Sequence, residues 1–187
     1  MHRLFITALA CLISFNLHAQ CEIYYVTSDA SENGVGTKED PFTLTNAFAE
    51  QSESLTIKLA VGEYEISNSL EILSDYLYIE GGYNSEDWSK SSLGGANTII
   101  TRNTSNQQID YYQNPFLSVF HATNVNGFEI HDISIIIPDN IYGSSTNYGI
   151  YISSCSAYKI VRTYIDIGNG GDGNDGYNQL GGVMGLH

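Results

Sequence analysis

Residues Phe116 to Ile137 slide forward by 30 positions onto Thr146 to Ile167 without a gap, and seven apolar positions coincide. Phe120, Ala122, Val125, Phe128, Ile130, Ile135 and Ile137 fall on Ile150, Ile152, Cys155, Tyr158, Ile160, Ile165 and Ile167. Ile133 meets Thr163, so the two copies are similar without being identical. Within each copy the apolar residues alternate with a period of two, break at a polar turn and resume, as in two or three short strands joined by corners. A unit of about 30 residues made only of strands and turns cannot bury its own apolar face and must stack on the next copy. The repeat therefore predicts an all-β chain wound as a parallel β-solenoid. Its coils would hydrogen-bond about 4.8 Å apart and pile their inward residues into continuous apolar stacks.

Outward positions test this stack independently, because equal places in neighbouring copies lie one above the other. Glu129 falls on Lys159 and Asp132 on Arg162, as a charge ladder that fixes the register requires. Earlier in the chain Ile57, Ile79 and Ile100 recur at intervals of 22 and 21 residues, which predicts earlier members of the stack. Strand-like stretches rich in Ile, Tyr and Val run over 22–27, 55–60, 70–73, 77–79, 98–101, 128–137 and 158–167. Each is bounded by turn-forming residues. One helix is predicted over Asp40 to Gln51, with Asp40 as N-cap, Pro41 in the first position and Leu44, Ala47 and Phe48 on one face. Pro138 to Asn147 reads as a longer loop. Gly62 and the pair Gly81 and Gly82 read as tight corners or positive-φ positions.

Seven Lys and Arg stand against 21 Asp and Glu, a formal net charge of -14. So acidic a surface repels phosphate backbones and anionic headgroups, which excludes general nucleic-acid and lipid-surface binding. Apolar residues reach 42% and charged ones only 15%, so the chain can build a core and is no acidic disordered tail. The first 19 residues stand outside that core. Met1-His2-Arg3 is a short basic start, and the apolar run from Leu4 to Leu17 is too short and polar to span a bilayer. It reads as a secretory signal cleaved after Ala19, and Gln20 ahead of Cys21 fits lipoprotein processing poorly. The mature chain then has no transmembrane span and is expected to be secreted or held at the cell surface. It retains Cys21 and Cys155, which either pair once exported or sit as small buried hydrophobes; the alignment of Cys155 with Val125 favours the second.

The chain resembles the right-handed parallel β-helix proteins of the pectin-lyase-like superfamily. The nearer likeness is to secreted repeat proteins and polymorphic outer-membrane adhesins of bacterial surfaces. The matching residues are Tyr24-Tyr25-Val26-Thr27, Gly36 to Phe42, Ile57 to Tyr64, Ile79-Glu80-Gly81-Gly82-Tyr83-Asn84, Trp88 and Thr98-Ile99-Ile100. The resemblance implies a right-handed solenoid over 53–187, with the strand and helix of 20–52 capping its open first coil. An amphipathic helix there would cover unpaired backbone groups and the apolar interior. No polar terminal cap, sorting domain or barrel precedes His187, so the chain is expected to be the N-terminal part of a longer protein or to be covered by another chain.

Gly170 to Tyr177 matches the nonapeptide pattern of calcium-binding repeats-in-toxin rolls. Asp172 and Asp175 would supply hard oxygen ligands for Ca²⁺; the alternative is an ordinary Gly, Asn and Asp loop. The superfamily includes lyases and hydrolases of acidic polysaccharides. A lyase needs a base and cations beside the substrate carboxylate, and an inverting hydrolase needs clustered acids. Asp132 and Asp166 are the nearest acids but do not align, and His121 and His131 read as polar face residues, without a matched partner. No catalytic residue is therefore assigned. Fourteen tyrosines instead suit a face that stacks on sugar rings or a partner protein. The expectation is a surface or secreted protein presenting an extended face to an extracellular glycan or surface protein. Polysaccharide cleavage by later coils and a purely structural spacer are the alternatives.

Overall fold

The computed structural model describes residues 22–90, 97–110 and 112–173. They are all-β apart from one short helix, and their strands assemble into parallel sheets, as the repeat predicts. Sheet A takes β1 (Ile23–Val26), β2 (Thr56–Ala60), β5 (Tyr78–Tyr83), β9 (Glu129–His131) and β12 (Lys159–Val161), in that order. Sheet B orders β3 (Gly62–Ile66), β6 (Thr98–Arg102), β10 (Ser134–Ile137) and β13 (Tyr164–Ile167). Sheet C orders β4 (Leu70–Ile72), β8 (Pro115–Thr123) and β11 (Thr146–Ser153), and the two-residue β7 (Gln108–Ile109) folds back antiparallel on β8. From β2 onward the chain visits A, B and C in rotation, and the next visit adds a strand beside an earlier one.

The 30-residue offset is the register of all three sheets. Ile160 pairs with Ile130, Ile165 with Ile135 and Ile150 with Phe120. Further back the offset changes, because loops of other lengths intervene. Ile57 pairs with Ile79, but Ile79 pairs with Ile130, 51 residues on. Ile100 does not continue that stack. It lies in sheet B between Tyr64 and Ile135, since Gly62–Ile66 forms a strand of its own.

Corners superpose as well as strands. Ser54, Tyr76, Gly127 and Ala157 each take a positive φ just before a strand of sheet A. The N–H groups of Ser54, Tyr76 and Gly127 donate to the carbonyls of Asp75, Asn126 and Ser156 in the following copy. A second corner, at Asp132 (φ 55°) and Arg162 (φ 48°), divides each of the stretches 128–137 and 158–167 into two strands. Gly82 has the expected positive φ of 84°, whereas Gly62 and Gly81 do not. Gly81 is required by proximity instead: a Cβ there would lie 2.4 Å from the Asp132 carbonyl oxygen.

The inward residues form one apolar cluster from Val26 to Ile137 that draws on all three sheets and on the helix. Burial declines at the last strands, where Ile160 is 40% and Ile165 44% exposed. One inward place is held by a cation. Arg102 sits between Ile66 and the Ile137 position, fully buried, and its guanidinium donates to the carbonyls of Asn103 and Asn106 at 2.7 and 2.9 Å. The helix, α1, spans Leu44–Ala49, later and shorter than predicted. Thr43, not Asp40, is its N-cap: the hydroxyl accepts the Asn46 N–H at 3.2 Å. The Asp40 carbonyl instead accepts the N–H groups of Val35, Gly36 and Thr37, and Phe42 bridges to Val26 in extended form. Leu44, Ala47 and Phe48 are buried as the spacing requires, with Phe48 against Phe120. No helix among the described residues is long and apolar enough to cross a membrane.

Candidate functional site

Two outer faces concentrate side chains of possible function. The first lies on sheet A and its corner toward sheet B. Strand alternation points Glu80, Glu129, His131 and Lys159 away from the core, and the left-handed corner brings Asp132 and Arg162 one above the other. Arg162 grips Asp132 through Nε at 2.6 Å and Nη2 at 2.8 Å, and Lys90 reaches both Asp132 and Glu80 at 2.7 Å. Lys159 meets Glu129 at 2.6 Å, and His131 Nε2 lies 2.8 Å from the same carboxylate. Both anticipated pairs of the charge ladder are present.

This arrangement holds charge more than it offers it. Hydrogen bonding from Arg162, reinforced by Lys90, lowers the Asp132 pKa to about 2. Lys159 and His131 hold Glu129 below the ordinary glutamate range. The Asp132 side chain is 1% exposed although its partner Arg162 is 59% exposed. Nearby, Tyr25 and Tyr83 pack on Trp88, and Lys58 and Lys90 lie over the Tyr83 ring at 4.8 and 4.9 Å. Trp88 is only 7% and Tyr83 6% exposed, so these two rings brace the face from within.

The second face, on sheet C, is built differently. Val119 and Phe120 are both fully buried, so the alternation of β8 breaks between them. On β11 the neighbouring Gly149 faces sheet B, where a Cβ would come 2.6 Å from Ile165. The break sends Phe116, Ser118 and His121 outward together. Tyr151 lies nearly parallel to Phe116 at 5.2 Å and 23°, while Tyr148 stands edge-on to both at 5.7 and 5.3 Å. The His121 ring closes against Tyr151 at 5.0 Å.

Polar groups rim these rings. Glu71 on β4 takes the Gln108 amide at 2.7 Å and His121 Nδ1 at 2.8 Å. His121 Nε2 is turned toward the Thr123 hydroxyl at 3.4 Å. Gln108 is fixed in turn by the Ser69 and Ser118 hydroxyls, which donate to its Oε1 at 2.7 and 3.0 Å. Tyr148 is 37% exposed, and Tyr151 and His121 are half-buried. The result is two partly open aromatic rings at a right angle beside a fixed carboxylate, amide and imidazole. Such a set can stack on an apolar ring face and hydrogen-bond hydroxyls at its edge.

The other sequence candidates lie apart. His121 and His131 each have the carboxylate partner that the sequence did not reveal, from β4 in one case and from two residues away in the other. Asp132 is consumed by its ion pairs, and Asp166 is exposed on β13, opposite Ile136. Asp172 lines a cleft with Asp139, Asn140 and Asn169; Asp175 lies outside the described residues. Among the described residues no three His, Cys, Asp or Glu side chains converge as metal ligands. Cys155 packs against the core, and its thiol accepts the Val125 N–H at 3.4 Å. Cys21, Tyr111, Tyr177 and residues 1–19, expected to be a secretory signal, lie outside the described residues. No protein-family model, curated protein or solved structure matches the chain.

Proposed function

We propose that this chain is a secreted or cell-surface protein wound as a right-handed parallel β-helix, and that it presents the outer face of sheet C to an extracellular glycan or surface protein. The superposed registers and corners support the winding, since each return of the chain adds one strand to each sheet. The observation that carries the function is the open pair Tyr148 and Tyr151, backed by Phe116 and rimmed by Glu71, Gln108 and His121. On sheet A the Tyr83 and Trp88 rings are covered and Glu80, Glu129 and Asp132 are held in ion pairs, whereas sheet C sets two partly open rings side by side. Polysaccharide cleavage remains the rival only for residues beyond those described.

The test is carbohydrate binding by the purified mature chain on a glycan array, followed by titration calorimetry. Binding that falls at least tenfold in Tyr151→Ala, with the melting temperature unchanged, supports the reading. Binding that ignores both Tyr148→Ala and Tyr151→Ala, or release of reducing sugar from a polysaccharide, sinks it.

A further inference from the structure

The distribution of charge narrows the ligand class of this face, an inference that rests on the glycan reading above. Of the seven Lys and Arg in the sequence, Arg3 lies outside the described residues and Arg102 is sealed in the core. The other five, Lys38, Lys58, Lys90, Lys159 and Arg162, all lie over or bond to residues of sheet A and its corner. None of these contacts reaches sheet C. Its aromatic site therefore carries one carboxylate, Glu71, with His121 and the Gln108 amide as its neighbours, within a chain of net charge -14. A sugar carboxylate or sulfate on a chain that is seated on Tyr148 and Tyr151 and reaches across His121 would meet Glu71 with no Lys or Arg to offset it. Like charges so placed suppress binding of the wrong ligand.

We infer that the sheet C site takes a neutral glycan: a pyranose ring stacks in the angle between Tyr148 and Tyr151, Glu71 accepts from its hydroxyls, and uronate or sulfated chains are rejected. Glu71 is then the specificity residue. Because no ion pair forms on binding, affinity should change less than about twofold between low and high salt. Acidic polysaccharides would need the cations of sheet A, of which Lys90, Lys159 and Arg162 already hold carboxylates.

The experiment titrates the folded mature chain with neutral oligosaccharides of glucose, galactose, mannose and xylose, and in parallel with oligogalacturonate and a sulfated galactan. A neutral member should bind, be weakened about tenfold or more by Tyr151→Ala, be retained by Tyr151→Phe and be indifferent to Lys159→Ala on sheet A. Glu71→Gln should keep the fold, as read by circular dichroism, and narrow the gap between the neutral and the acidic probe. Preferential binding of oligogalacturonate or the sulfated chain that Tyr151→Ala abolishes would overturn this inference while leaving the glycan-face reading intact. Silence with every probe of both classes would remove the glycan-face reading and this inference together.

Discussion

At the scale of single residues, the two pairs of the charge ladder were legible because identical spacing in two copies puts them on top of one another. Lys90 was not legible, since its approach to Asp132 depends on the path of a loop that belongs to no repeat. Its presence changes the energetics: Asp132 is a buried acid gripped by two cations, and its pKa is lowered to about 2. In the unfolded chain the same group titrates near 4. A depressed acid stabilises the fold fully above the unfolded value and loses that contribution as pH falls through the folded one. Asp132→Asn should therefore cost about 2 kcal/mol at neutral pH, and the gap to the parent should close between about pH 4 and pH 2. Urea midpoints measured across that range decide the matter; a gap that stays constant down to pH 2 would show that the carboxylate's charge plays no part.

At the scale of elements, alternation found the strands of sheet A and most of sheet B but missed β3 and the outward turn within β8. Gly62-Glu63-Tyr64-Glu65-Ile66 alternates correctly, yet its glycine suggested a corner, because sequence alone could not show that Ser28 packs where a side chain would stand. The β8 break is invisible for a different reason. Leu117, Val119 and Phe120 form an apolar run that fits either parity, and nothing in the sequence marks where the break falls. The helix shows the same limit at its start: Asp40 and Thr43 both suit an N-cap, and pairing of Phe42 with Val26 keeps the chain extended until Thr43. Thr43→Ala should accordingly destabilise the protein by about 1 kcal/mol, whereas Asp40→Ala, whose carbonyl contacts are backbone ones, should leave the cap intact. Thermal melts of the two variants distinguish the assignments, and a larger loss in Asp40→Ala would return the cap to Asp40.

For the whole molecule, what the sequence made readable was the repeat length where it is constant, and what it hid was the repeat length where it varies. Three sheets share the 30-residue offset between the last two copies, but Ile79 to Ile130 spans 51 residues because loops and the β7 strand intervene. The candidate face was hidden for a related reason: Glu71, Gln108, His121 and Tyr151 come from four strands, and only their superposition brings them together. Winding as a β-helix makes a strong demand on length. Duplicating residues 116–145 in tandem inserts one full 30-residue turn, placing a second Phe120 between the first and Ile150 with every inward residue still inward. A 29-residue duplicate that omits Ile130 instead puts His131 into the inward place of that strand, because side chains alternate with a period of two and no loop is there to absorb the difference. The 30-residue insertion should fold cooperatively with a larger denaturant m-value, since more surface is buried. The 29-residue insertion should lose the order of its last strands, detected as faster amide exchange over 146–167. Equal protection in the two proteins would mean that the chain does not return on itself in fixed turns, and the β-helix proposal would fail.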